Sequence, residues 1–174
     1  VFPPKPRRGW HGVFETMPTK TRTSFFRFWD VDVSAFRDVL VCPLSMYTVR
    51  LRSKPRALLG AYVPRSGRIY CDVRNIKVFL HEASHHVVEL HMPHLYKTAR
   101  GRAVEEAVAD IAAAVAAMRL ETPRGIGWQL IEMGLRLKPC SKLRLDRDGD
   151  PYLPNSCILG ALKAKPELIL NIFS

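Results

Sequence analysis

At 174 residues, with 47% hydrophobic and 25% charged side chains, the chain is long enough to bury one sizeable core, and its composition excludes a disordered or collagen-like protein. Its formal net charge of +11 points to an anionic partner, nucleic acid first. The longest apolar stretch is interrupted by Glu105, Glu106 and Asp110, which excludes it as a membrane span.

Arginine outnumbers lysine 18 to 9, and one glutamine and three asparagines make a chain poor in thermolabile amides, a weak sign of a thermophilic source. The segment "VFPPKPRRGW" has positive charge but no apolar core behind it, so no secretory signal is read there and the expected location is cytoplasmic. Cys42, Cys71, Cys140 and Cys157 lack metal-ligand spacing and read as core cysteines, with a Cys140 to Cys157 bridge as the alternative for the last two.

Residues 1–28 mix Pro3, Pro4, Pro6 and Pro18 with Lys5, Arg7, Arg8, Lys20 and Arg22 without a steady period, and read as an extended basic arm. Trp10, Phe25, Phe26, Phe28 and Trp29 interleave with Arg22 and Arg27; anchoring the arm on a core is the expected use, base stacking the alternative. A single domain then occupies 29–174, with a sheet and one helix to residue 92 and a helical half over 93–174. "VSAFRDVLV" from Val33 has helix-like spacing. "MYTVRLR" (46–52), "LLGAYV" (58–63) and "RIYCDV" (68–73) are β-branched and aromatic runs separated by turn signals, and predict three antiparallel strands. "RLRSKPR" (50–56) is a basic cluster at the first of those turns.

"NIKVFLHEASHHVVELHM" then runs about five turns from Asn75, a candidate N-cap, to the helix stop at Pro93. "RAVEEAVADIAAAVAAMRL" is a second, Ala-rich helix. "GWQLIEMGLRL" (127–137) and "NSCILGALKAKPELILNIF" (155–173) predict shorter ones, the last broken near Pro166. "DRDGDPY" (146–152) lacks the glycine and glutamate positions of a calcium loop and reads as a tight turn.

On the first long helix His81 and His85 stand one turn apart, about 6 Å along the axis and about 40° around it, so both rings can meet one ion. Glu82 lies about 100° from His81, where its carboxylate can reach a water without being a ligand. A catalytic zinc takes three protein ligands and leaves one position open, so a third ligand is required. His91 is one candidate, but in an unbroken helix it faces about 240° from His85, and Val88 resists the turn that would bring it back. Glu106 is the stronger candidate: with Asp110 at i+4 it shows one face to the first helix, and Asp110 can accept the second imidazole N–H of a ligand histidine. Glu105 is a rival one position out of phase. His86 and His94 read as partly exposed polar residues.

"HEASH" followed by "EAVAD" resembles the gluzincin zinc metallopeptidases, and the strands ending in "GAYVPRSGRIYCDV" resemble the sheet of the small members, the minigluzincins and ImmA/IrrE-type peptidases. The likeness spans about residues 46–118. It implies an α+β, zincin-like domain, a three- or four-stranded sheet over an active-site helix. It also implies Zn²⁺ held by His81, His85 and Glu106, Glu82 as general base and Asp110 behind a ligand. No counterpart is evident for the downstream histidine or tyrosine that larger gluzincins set against the oxyanion; His94, Tyr96, Arg100 and Tyr152 are the candidates. The expected function is zinc-dependent hydrolysis of a restricted set of peptides or proteins lying along the edge of "LLGAYV" or "RIYCDV". The alternative is a catalytically weak nucleic-acid-binding or regulatory protein on the same fold.

Overall fold

The computed structural model describes residues 8–9, 13–51, 59–136, 144–145 and 151–152. The predicted helix over 155–173, the cluster at 52–56, Cys140 and Cys157 lie outside them.

The first helix, α1 (Thr19–Trp29), overturns the expectation of an extended arm through residue 28. It buries Thr21, Ser24, Phe25, Phe28 and Trp29, an i, i+3, i+4, i+7, i+8 stripe in which a threonine and a serine replace apolar residues. Ser24 donates to the Leu120 carbonyl at 2.7 Å and the Trp29 indole to Ser84 Oγ at 3.0 Å, so these two polar groups of the stripe are satisfied inside the fold. The aromatic residues do anchor this segment: Phe25, Phe28 and Trp29 have no exposed surface, and Phe14 packs on Phe25, Phe26, Phe36 and Phe79. Each buried aromatic ring contributes on the order of 2–3 kcal/mol of apolar transfer.

After a 3₁₀ turn (Val33–Phe36), opened by Asp32 accepting from the Ser34 N–H, the chain forms a strand and not the helix read for 33–41. The four-stranded sheet comprises β1 (Arg8–Gly9), β2 (Leu40–Cys42), β3 (Gly60–Val63) and β4 (Arg68–Cys71), in the order β1-β2-β4-β3. It is mixed. β2 runs parallel to β4, with Val41 opposite Ile69, whereas β3 pairs antiparallel with β4, with Gly60 opposite Cys71. The expectation of three antiparallel strands therefore holds for β3 and β4 alone, and residues 46–51 of the run expected as the first strand lie in α2 (Leu44–Leu51). Short runs of mixed aromatic and β-branched residues fit either period. Here the N–H of Met46 bonds the Pro43 carbonyl at 3.0 Å, and the Tyr47 ring lies 5.2 Å from that of Tyr70 on the sheet.

The turn between β3 and β4 holds Arg65 (φ 66°) and Gly67 (φ 64°) in the left-handed region, which is what "PRSG" foretold. A Cβ on Gly67 would also lie 2.9 Å from the Asp38 carbonyl oxygen.

Helix α3 (Ile76–His91) starts at Asn75, whose Oδ1 accepts from the Val78 N–H at 3.3 Å, and ends before Pro93, as its sequence dictates. A 3₁₀ turn (Pro93–Lys97) reverses the chain into α4 (Ala99–Ala117), capped by Thr98 Oγ1 accepting from the Gly101 N–H at 2.9 Å. The paired helices α3 and α4, α1 across them, and α5 (Ile126–Arg136) bury one apolar core that reaches under the sheet through Val41 and Ile69. Within the half expected to be helical, β5 (Arg144–Leu145) pairs antiparallel with β6 (Pro151–Tyr152). The architecture is α+β, mostly helical, with a small mixed sheet. Among the described residues no helix is long and apolar enough to cross a membrane.

Candidate metal centre

Helix α3 turns His81 and His85 toward α4, where their Nε2 atoms lie 3.0 Å apart. Glu106 meets both rings, with Oε1 2.8 Å from His81 Nε2 and Oε2 3.1 Å from His85 Nε2. His81, His85 and Glu106 thus bring three donor atoms within 4.8 Å of one another, a group that could hold a metal ion. Tetrahedral coordination at about 2.0–2.1 Å spaces donor atoms roughly 3.3 Å apart, so the observed distances need an expansion of only a few tenths of an ångström.

The other nitrogen of each ring is backed by a carboxylate. Asp110 Oδ1 lies 2.8 Å from His81 Nδ1, off the line of the ring N–H, so this is a close electrostatic contact and not an aligned hydrogen bond. Glu105 Oε1 lies 2.5 Å from His85 Nδ1 and 2.5 Å from the Tyr96 hydroxyl, which also sits 3.1 Å from the His85 carbonyl oxygen. Glu105 is 2% exposed. Its role corrects its standing as a rival ligand: it reaches the far side of the ring that Glu106 meets in front. Two adjacent glutamates on a helix point about 100° apart, which lets one face the cleft and the other the core.

These carboxylates set the charge of the rings. Burial works to lower the His81 pKa, but Asp110 and Glu106 outweigh it and push it up to about 9. The same opposition acts on His85, where burial is overcome by Glu105 and Glu106 and the pKa stands well above the usual histidine value. Burial raises the pKa of Glu106, yet the charge of His85 and the hydrogen bonds from both rings win and hold its carboxyl well below the usual range. Glu82 is 7% exposed; its burial raises its pKa, opposed by the charges of His85 and His81. A metal ion would displace the ring protons, since the imidazole lone pair is the ligand.

Glu82 opens on the same cleft as His81, Glu106 and Asp110, a space of about 440 Å³ lined also by the apolar residues Leu59, Gly60, Val78 and Ala113 and by Asn75 and Lys77. Strand β3 borders it. A Cβ on Gly60 would lie 2.6 Å from Val78 Cγ1 and 3.2 Å from Glu82 Cγ, so glycine there is what lets the strand lie against the helix at the carboxylate. Among the described residues β3 is an edge strand and β4 is interior, so of "LLGAYV" and "RIYCDV" the former lies at a sheet edge.

Other sequence candidates stand apart. His91 is exposed, with Nδ1 3.0 Å from the Val87 carbonyl oxygen and its ring 5.0 Å from that of Trp128, away from His81. His86, expected to be partly exposed, is 7% exposed: Nε2 lies 2.7 Å from the Ala35 carbonyl oxygen and Nδ1 3.1 Å from the Tyr62 hydroxyl, tying α3 to the sheet, and burial lowers its pKa. Of the oxyanion candidates, Tyr96 is occupied behind the site, Arg100 donates to the Leu135 carbonyl at 3.2 Å, and exposed His94 does not line the cleft. Nothing is described of the Tyr152 side chain. No protein-family model, curated protein or solved structure matches the chain.

Proposed function

We propose that the protein is a zinc-dependent peptide hydrolase. The observation that carries this reading is the meeting of His81 Nε2, His85 Nε2 and the Glu106 carboxylate at 2.8–3.1 Å, beside buried Glu82 in one cleft. Two imidazoles and one carboxylate, each imidazole backed by a further carboxylate, form a donor set suited to Zn²⁺. Bound there, the ion supplies a Lewis acid that polarises a carbonyl and makes water acidic near neutral pH.

The chain's own groups do the rest. Glu82 takes a proton from the attacking water as its oxygen bonds to the peptide carbonyl carbon, then gives that proton to the amine nitrogen as the C–N bond breaks. Its burial raises the carboxyl pKa, which strengthens it as the base that takes the proton. Glu105 and Asp110 hold the ligand rings, and the open edge of β3 offers backbone pairing to an extended substrate.

Elemental analysis of the purified protein beside a peptide-library digest tests this. One zinc per chain, retained in Glu82→Gln with cleavage lost, is the expected result; absence of zinc after reconstitution, or cleavage that survives Glu82→Gln, overturns it. The net charge of +11 favours a second reading, a regulatory or nucleic-acid-binding protein on this scaffold. Salt-sensitive DNA binding unchanged by Glu82→Gln, without any cleavage, would select that reading.

A further inference from the structure

The cleft's polar groups are unevenly matched. Glu82, Glu106 and Asp110 supply three carboxylates, and Glu106 and Asp110 are engaged with His81. Asn75 caps α3 through the Val78 N–H. Among the described residues Lys77 is the one lysine or arginine on the lining, it is exposed, and its side chain makes no ion pair or hydrogen bond. It precedes His81 by four residues, so the two positions lie about 6 Å apart along the axis on the same helix face.

A peptide in extended form advances about 3.3–3.6 Å per residue, so a point one turn from His81 falls within two residues of the bond that Glu82 would attend. The neighbouring wall of Leu59, Val78 and Ala113 is apolar, which strengthens a charge contact made against it. With a dication on His81, His85 and Glu106, Lys77 would offset the three carboxylates of the lining, while the fourth, Glu105, lies behind His85.

Resting on the peptidase reading, we infer that Lys77 is the specificity-determining residue of the cleft and selects a substrate bearing a carboxylate within two residues of the scissile bond. The carboxylate comes from an aspartate or glutamate side chain or from the end of the substrate chain; both present the same group to the ammonium. A charge-assisted contact of this kind, made by an exposed lysine, is worth about tenfold in affinity.

The test uses the full chain carrying Glu82→Gln, reconstituted with Zn²⁺ so that peptides bind without turnover. Three probes are titrated calorimetrically: acetyl-Ala-Asp-Ala-amide, acetyl-Ala-Ala-Ala as the free acid, and acetyl-Ala-Ala-Ala-amide. One of the carboxylate-bearing peptides is expected to bind about tenfold more tightly than the neutral one, and which of them does so identifies the source of the carboxylate. Adding Lys77→Met removes the difference, and Lys77→Arg retains it. Equal binding of all three probes, or a preference that survives Lys77→Met, overturns the inference. Failure of the protein to take up zinc overturns the peptidase reading instead, and zinc content reports that separately.

Discussion

Glu105 is the residue through which the site is most open to refutation. Glu105→Gln keeps the shape of the side chain and removes its charge. At present Oε1 lies 2.5 Å from both His85 Nδ1 and the Tyr96 hydroxyl, with only 2% of the residue exposed, so the carboxylate has no access to water as a substitute partner. Holding the proton on Nδ1 leaves the Nε2 lone pair for the metal, and the carboxylate raises the basicity of that lone pair. Loss of the charge is therefore expected to weaken zinc binding about 10- to 100-fold. Glu105→Ala, which strands a buried imidazole, costs in addition about 3–5 kcal/mol of stability in the metal-free protein, and Gln costs less because its amide oxygen still accepts from the ring. Competition against a chromophoric chelator reads the first quantity and denaturant unfolding the second. Glu106→Gln is the control, expected to weaken zinc binding more than Glu105→Gln. A Glu105→Gln protein that binds zinc as tightly as its parent would refute the supporting role; one that loses zinc altogether while Glu106→Gln keeps it would make Glu105 the ligand.

In the metal-free protein the His81 pKa is raised from 6.5 to about 9, so its ion pair with Glu106 and Asp110 contributes fully below pH 6.5 and is lost as pH rises through about 9. The loss is on the order of 2–3 kcal/mol, counted once for the shared cluster, and should be seen as a falling denaturant midpoint over that window; a flat profile would speak against it. Zinc affinity runs the other way, rising with pH to about 9 as ring protons cease to compete, which titrations at pH 6, 7.5 and 9 can follow. Gly60→Ala forces a Cβ to 2.6 Å from Val78 Cγ1 and 3.2 Å from Glu82 Cγ, and should cost roughly 1–3 kcal/mol by thermal unfolding while leaving zinc content intact, because the clash lies at the base and not at the ligands. His91→Ala should bind zinc like the parent and lose no more than about 1 kcal/mol from its Trp128 contact; a loss of zinc would return His91 to the ligand set.

What the sequence determined by itself are the features set within a few residues. The i, i+4 spacing of His81 and His85 fixes their convergence on any helix, and Asn75 and Pro93 bound that helix before any packing is known. The φ-positive turn at "PRSG" is likewise local. Three matters were decided only in the tertiary structure. The α1 stripe is disguised in the sequence because Thr21 and Ser24 occupy core positions, which is tolerable only once the Leu120 carbonyl comes within reach of Ser24. The identity of β2 rests on parallel pairing with residues 28 positions away, beyond the reach of any local pattern. The division of labour between Glu105 and Glu106 depends on the rotation of α4 about its own axis, set by packing its alanine and valine face into the core. Adjacent glutamates are chemically identical in sequence; burial of one against Tyr96 and exposure of the other to the cleft sets one behind the His85 ring and the other before both rings.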